Sequence, residues 1–175
     1  LKNYQSFLEQ HFGGILHSGQ HEKDSKACGM EFLNAYHGRL WSDDPLAARC
    51  FDLRPINDMN VPSEMRTQYL LPVIAAYDGS LDWPRKKQIE VVRKIIIGTT
   101  QQLIAELPGL SDATRLACRQ AATLRAAGAA AEVAAWVAAG GAEAADAAGA
   151  ATPTEAIFKK ACHIWLSAVE EETHD

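Results

Sequence analysis

A long helical repeat of apolar residues is the feature that most constrains the fold of this chain. The repeat runs from Lys87 to Leu107, and Pro108-Gly109 supplies its stop. Its β-branched stretch VVRKIII is also compatible with a strand, but the length of the continuing pattern favours a helix. The apolar positions of the repeat are Ile89, Val92, Ile96, Leu103 and Leu107.

Shorter helical repeats precede this segment along the chain. Apolar residues between Asn3 and Phe12 predict a short helix that ends at Gly13-Gly14. The segment Ser63–Tyr77 predicts another helix, which Pro72 should kink or divide. Two more helices are expected, one from Asp24 or Ser25 to Tyr36 or His37, and a short one from Pro45 that ends before Pro55.

The composition shifts towards alanine after Ser111. Alanine has the highest helix propensity, whereas each interior glycine costs about 1 kcal/mol, so the tract predicts two helices separated near Gly140-Gly141, with Trp136 as a large anchor. Beyond it, Thr152 as cap, Pro153 in the first turn and Glu155 form a capping box that predicts a closing helix. Its apolar stripe is Ile157, Ala161, Ile164, Trp165 and Ala168.

These patterns together predict an all-α protein, built as a single compact array of about seven or eight helices. We expect one domain over residues 1–175, because a chain of 175 residues can bury a core of its own. Within it, residues 1–110 carry the polar motifs, and residues 111–175 contain the alanine-rich helices and the closing helix.

Charge and cysteine content exclude several classes of function. The net charge of −5 argues against a nucleic-acid binder, which needs a concentrated basic face. No apolar run is long enough to span a bilayer, so no membrane association is expected. The four cysteines are widely scattered, which predicts reduced thiols in a cytoplasmic protein.

The passage LHSGQHEKDSKACGME gathers residue types that bind zinc or another transition metal: His17, His21, Cys28 and Glu31. Cys28 and Glu31 should lie one turn apart at the start of a helix, and the histidines would have to fold back from the preceding loop. The passage lacks the H-E-x-x-H signature of zinc enzymes. The alternative interpretation is solvent-exposed histidines and a core cysteine, and His17 is the weakest of the four candidates.

Cys28 is also a candidate nucleophile. A thiol near a helix N-terminus gains some thiolate stabilisation, and His21 or His17 would serve as its base. Such chemistry also requires an oxyanion site and a group that orients the base. The sequence identifies neither of them.

Acidic residues are concentrated in two turns, WSDDP and INDMN. Asp43, Asp44, Asn57 and Asp58 could converge with Glu31 on a hard cation or form an acid–base pair. Capping and turn formation explain the same residues, since they lie beside Pro45 and before Pro62. We favour capping.

The stretches GQH, CGMEFLNAYHGRLWSDDP, INDMN and RTQYLLPVI resemble a pattern found in a family of uncharacterised, alanine-rich bacterial and bacteriophage proteins. That pattern has G-x-H, C-x-x-E, W-S-D-x-P and N-D in this order, and this chain departs from it at Asp44, where the pattern often has histidine. The resemblance carries no activity; it implies that Gly19 and Pro45 shape the backbone. It also implies that one group should be inspected together, namely His21, Cys28, Glu31, Ser42, Asp43, Asn57 and Asp58.

The function expected from the sequence is a non-enzymatic cytoplasmic protein that binds a protein or a small molecule, from a phage or other mobile element, and acts on a host factor. No resident cofactor is expected, with Zn²⁺ held by His21, Cys28 and Glu31 as the alternative. One competing hypothesis is a metal-dependent or cysteine-based enzyme centred on these three residues and Asp43. Another is a homo-oligomer formed through the alanine-rich helices.

Overall fold

Helices make up all the regular structure in the described part of the chain. The computed structural model describes residues 1–21, 26–107, 109–130 and 154–170, and none of these lies in a strand, so the all-α prediction is confirmed. The helices are α1 (Lys2–Phe12), α2 (Gly29–Tyr36), α3 (Pro45–Ala48), α4 (Arg54–Asn57), α5 (Ser63–Tyr77), α6 (Arg85–Gln102), α7 (Asp112–Arg119), α8 (124–130) and α9 (Thr154–Glu170), with 3₁₀ turns at Ser80–Asp82 and Ile104–Glu106.

The chain divides into two compact units. The first contains Leu1–Gln88 together with Trp165–Asp175, and the second contains Ile89–Ile164. The divisions fall inside α6 and inside α9, so a helix carries the chain through each of them. All the motifs singled out in the sequence belong to the first unit.

The core of the first unit is built around α5. Leu70, Val73, Ile74 and Tyr77 are fully buried along this helix, as its apolar spacing requires. The Tyr77 hydroxyl donates a hydrogen bond of 2.8 Å to the backbone oxygen of Trp165, which ties the last part of α9 to this core. Aromatic rings of α1 and α2 pack beside it, including Phe7, Phe12, Phe32 and Tyr36.

The second unit has a small core of its own. Ala105, Leu110, Cys118 and Ala130 are buried together, with Ile104 and Leu107 packed against them. Ser111 caps α7 by accepting a hydrogen bond of 3.1 Å from the Thr114 amide. Cys118 of α7 contacts α8 through a weak hydrogen bond of 3.8 Å from its Sγ to the Ala130 oxygen.

The bounds of α5 agree with the sequence pattern, whereas α6 begins at Arg85 and ends at Gln102, before the predicted end at Leu107, because a 3₁₀ turn follows at Ile104–Glu106. Other helices differ from the prediction for local reasons. α5 runs from Ser63 to Tyr77 without being divided at Pro72. α2 begins at Gly29, later than expected, because Cys28 is its N-cap. α3 ends at Ala48 because Arg49 adopts a left-handed conformation, with φ of 53°.

Several sequence-based predictions lie outside the described residues. They concern the break near Gly140-Gly141, the anchor Trp136 and the cap formed by Thr152 and Pro153. Asp24 and Ser25 also lie outside, and the prediction that one of them caps α2 is wrong, since Cys28 is the N-cap of this helix. Within the described part, none of the helices is both long enough and apolar enough to cross a membrane.

Candidate functional site

Glu31 lies at the centre of the polar residues that the sequence brings together. Its side chain is fully buried, and its two carboxylate oxygens accept hydrogen bonds from two backbone amides. Oε1 accepts from the His21 amide at 2.7 Å, and Oε2 accepts from the Cys28 amide at 2.8 Å. Oε2 also lies 3.0 Å from His21 Nδ1. We call His21, Cys28 and Glu31 the Glu31 cluster.

His21 therefore does fold back onto the start of α2, as a shared site would require. Because a carboxylate can only accept hydrogen bonds, the Nδ1 of His21 is assigned as the donor to Glu31, and Nε2 has no hydrogen-bond partner among the described residues. The backbone oxygen of His21 accepts a hydrogen bond of 2.9 Å from Trp41 Nε1. Contacts at its amide, its carbonyl and its ring thus fix the position of His21.

Cys28 and Glu31 form a capping box at the N-terminus of α2. The Cys28 side chain accepts from the Glu31 amide while the Glu31 carboxylate accepts from the Cys28 amide. The Cys28 side chain is 2% exposed, and its burial raises the pKa of the thiol to about 12. Burial in this position favours the protonated thiol, which is neither a good nucleophile nor a ready metal ligand.

We expect the native protein to react slowly with a thiol reagent at pH 7, because all four of its cysteines are free and buried. Labelling by Ellman's reagent should be about 100-fold slower than in the denaturant-unfolded chain. Rapid labelling of one thiol that Cys28→Ser abolishes would instead support the cysteine-enzyme hypothesis.

The stability of the protein should also depend on pH through Cys28. The folded state keeps the Cys28 proton above pH 9, where an ordinary thiol loses it, so the free energy of unfolding should fall as pH rises from about 9 to about 12.

His17 lies beside His21 in the same loop. The two rings are 5.7 Å apart between centroids and meet edge to face. The His17 amide donates to the Ala27 oxygen at 2.9 Å, so the loop returns to the chain just before α2. Burial lowers the pKa of His17, and the positive charge of Lys26 adds to this effect.

Asn57 and Asp58 join the same region from the end of α4. Asn57 is buried; its Oδ1 accepts from the Gly29 amide at 3.0 Å, and its Nδ2 donates to the His17 oxygen at 3.2 Å. Asp58 Oδ1 accepts from Asn57 Nδ2 at 2.7 Å and from the Gly19 amide at 2.8 Å. Asn57 and Asp58 therefore bind both the loop that carries the histidines and the first residue of α2.

Ser42 and Asp43 lie in a neighbouring turn and do not enter the Glu31 cluster. Ser42 Oγ accepts from the Asp44 amide at 3.0 Å, and Asp44 in turn caps α3 by accepting from the Leu46 amide. The Ser42 backbone oxygen accepts from the Nδ2 of buried Asn34 at 2.8 Å. Asp43 is half-buried; the pKa of Arg54 is raised mainly by its hydrogen bonds to Asp52, and the negative charge of Asp43 adds a smaller effect in the same direction.

Arg66 is a central residue of this region that the sequence analysis did not identify. It is 2% exposed, and its guanidinium donates to the backbone oxygens of Asn57 at 2.8 Å, Met59 at 2.9 Å and Val61 at 3.2 Å. Burial lowers its pKa. A signal was present: Arg66 stands four residues before Leu70, on the apolar stripe of α5.

Two structural findings bear on ligand binding. Among the described residues, no group of three or more His, Cys, Asp or Glu side chains is arranged to hold a metal ion. A separate groove of about 390 Å³ runs between α1 and α5. Its size suits a small molecule. Its lining comprises Leu1, Lys2, Gln5, Thr67, Gln68, Leu71 and Pro72.

The fold and this region define a class: an all-α protein in which a buried carboxylate and a buried arginine hold polar loops against helix ends. Comparison with protein-family models, curated proteins and solved structures finds no match for the chain. The resemblance to the alanine-rich bacterial and bacteriophage proteins therefore remains a prediction.

Proposed function

We propose that this chain is a non-enzymatic binding protein that recognises a partner protein through the surface of residues 39–46. The observation that carries this proposal is the exposure of Leu40, whose side chain is 87% exposed in a segment that is otherwise held in place. Single exposed leucines are common on protein surfaces. We take Leu40 as the anchor because hydrogen bonds hold its backbone in place, which lowers the entropic cost of ordering this segment on binding.

Side-chain hydrogen bonds fix the segment on both sides of Leu40. Arg39 Nη1 donates to the Ala48 oxygen at 2.7 Å, and Trp41 Nε1 donates to the His21 oxygen at 2.9 Å. Asn34 holds the next residue through the Ser42 oxygen at 2.8 Å. Because the backbone is already ordered, a partner would pay little conformational entropy to bind here.

The chemistry of this surface indicates the kind of partner. Leu46 is 74% exposed, so the segment offers two leucine side chains to solvent. Asp43 and Asp44 lie between them in the sequence, and the chain as a whole carries a charge of −5. Charge complementarity therefore favours a protein with apolar pockets and a rim of lysine or arginine.

The side chains of the motif residues support this proposal because they form hydrogen bonds to the backbone. The carboxylate of Glu31, the amide of Asn57 and the guanidinium of Arg66 are all engaged with backbone groups. They stabilise the loop that carries His21, whose backbone oxygen in turn holds Trp41. In this proposal the motif residues hold the segment 39–46 in place, and Leu40 and Leu46 contact the partner protein.

A photo-crosslinking residue placed at position 40 tests the proposal. We expect it to capture a protein from host extract that the same residue at Leu116, which is 54% exposed on α7, does not capture. The identified partner should then bind the double variant Leu40→Asp, Leu46→Asp at least ~30-fold more weakly, because anchor residues typically contribute about 2 kcal/mol or more. Leu116→Asp is the matched control.

Two outcomes would contradict the proposal. The first is a partner whose affinity survives the double substitution while the variant remains folded by circular dichroism. The second is hydrolase or transferase activity that Cys28→Ser or Glu31→Gln abolishes without unfolding the protein, which would favour the enzyme centred on His21, Cys28, Glu31 and Asp43.

Cytoplasmic location belongs to the same proposal, supported by four cysteines that are all unpaired. Origin from a phage or mobile element, and action on a host factor, rest on the sequence resemblance alone. Self-association through the alanine-rich tract stays a prediction, because most of that tract lies outside the described residues.

A further inference from the structure

We propose that His17 and His21 form a two-histidine site for a divalent transition-metal ion such as Zn²⁺, with Glu31 as the residue that orients His21. This assignment differs from the ligand set suggested by the sequence. Glu31 is a positioning residue, Cys28 is outside the site, and His17 becomes the second ligand.

The contact between Glu31 and His21 has the form that metal-binding histidines use. A ligating histidine commonly donates its second ring N–H to a carboxylate, which fixes the tautomer and the orientation of the ring. Here the buried Glu31 carboxylate receives Nδ1 of His21 at 3.0 Å, which leaves the lone pair on Nε2. The side chain of His21 is 15% exposed, so its ring is partly accessible from solvent.

The separation of the two rings suits a shared ion. A Zn²⁺ ion lies about 2.0–2.1 Å from each histidine nitrogen, so two imidazoles on one tetrahedral ion have ring centres about 5–6 Å apart. The observed separation of His17 and His21 is 5.7 Å, with the ring planes inclined at 62°. The remaining positions on the ion would be filled by water or by a group from a bound molecule.

Hydrogen bonds hold the backbone around both histidines. His17 is fixed through its amide to Ala27 and through its oxygen to Asn57, and His21 is fixed through its amide to Glu31. A preordered pair of ligands loses little entropy on binding. Nearby charges have opposing effects on a cation bound beside His17. The negative charge of Glu64 favours it, while the positive charges of Lys26 and Arg66 oppose it.

Calorimetric titration of the whole protein with Zn²⁺ tests the site. We expect one ion per chain, with binding lost in His17→Ala and in His21→Ala. His163→Ala, which removes an exposed histidine of α9, is the matched control and should bind normally. Glu31→Gln should weaken binding about 10- to 100-fold, as removal of a carboxylate behind a ligating histidine usually does.

Nitrogen NMR of the histidine rings tests the site in the wild-type protein, so the result does not depend on whether Glu31→Gln folds. In the wild-type protein, His21 should be the Nδ1–H tautomer, and Zn²⁺ should shift the Nε2 signal of His21 together with a ring nitrogen of His17. The absence of binding at about 1 mM Zn²⁺ would overturn the proposal. So would binding that persists in either of the two histidine variants while they remain folded.

Discussion

The Glu31→Ala variant is expected to lose about 3–5 kcal/mol of unfolding free energy. Substitution removes the acceptor of the His21 and Cys28 amides, and a buried donor left unpaired costs about 1–3 kcal/mol. The lost bond to the Cys28 amide is also the Glu31 half of the capping box of α2, whereas the bond from the backbone amide of residue 31 to the Cys28 side chain remains. Chemical denaturation followed by circular dichroism measures the loss.

Glu9→Ala is a suitable control for this experiment. Glu9 is exposed on α1 and bonds only to Gln5 in the described part of the chain, so its removal should change stability by less than about 0.5 kcal/mol. Glu31→Gln keeps one acceptor oxygen and should fall between the two variants. A loss below about 1 kcal/mol in Glu31→Ala would mean that the carboxylate is not essential to the loop and helix it joins.

Replacing Arg66 should be almost as damaging. In Arg66→Ala the backbone oxygens of Asn57, Met59 and Val61 lose a charged donor inside the protein, and we expect a loss of about 3–4 kcal/mol. Arg66→Lys should recover less than half of this loss, because a single ammonium group cannot reproduce the planar fork of a guanidinium. Equilibrium unfolding in urea gives both values.

The lysine variant separates geometry from charge. If Arg66→Lys were as stable as the wild-type protein, the positive charge alone would suffice, and the fork geometry would not matter. Arg125→Ala removes an exposed arginine and should be neutral within about 0.5 kcal/mol. Arg66→Ala should also weaken Zn²⁺ binding in the titration, because Arg66 holds the backbone of Asn57, and Asn57 binds the backbone oxygen of His17.

The sequence predicts well those helices that depend on the spacing of apolar residues along the chain. The apolar stripe from Ser63 to Tyr77 coincides with α5, and the repeat from Lys87 onward is helical as far as Gln102. Periodicity predicts both helices, because a helix places every third or fourth residue on one face. On α6, however, the repeat positions Ile89, Val92 and Ile96 are exposed, and Val91 is buried instead. Pro72 was expected to kink or divide α5; the helix is not divided there, and Leu70, Val73 and Ile74 beside it are buried in the core.

The candidate site was only partly predictable, since its contacts join distant residues. The residue types and the proximity of Cys28 to Glu31 were visible in the sequence. Cysteine is not a usual N-cap residue, so the capping box of α2 was not foreseen. The link from Asn57 to Gly29 spans 28 residues, and periodicity carries no information about such a contact.

The hydrogen bond from Tyr77 to Trp165 has a consequence for synthesis of the chain. It joins residues 88 positions apart, and the first unit is completed only by the last part of α9. At typical elongation rates of about 5–20 residues per second, the ribosome needs roughly 4–18 s to make the intervening chain. During that interval the ring of Tyr77 lacks its contact with the ring of Trp165, which lies 5.3 Å away between centroids in the folded protein.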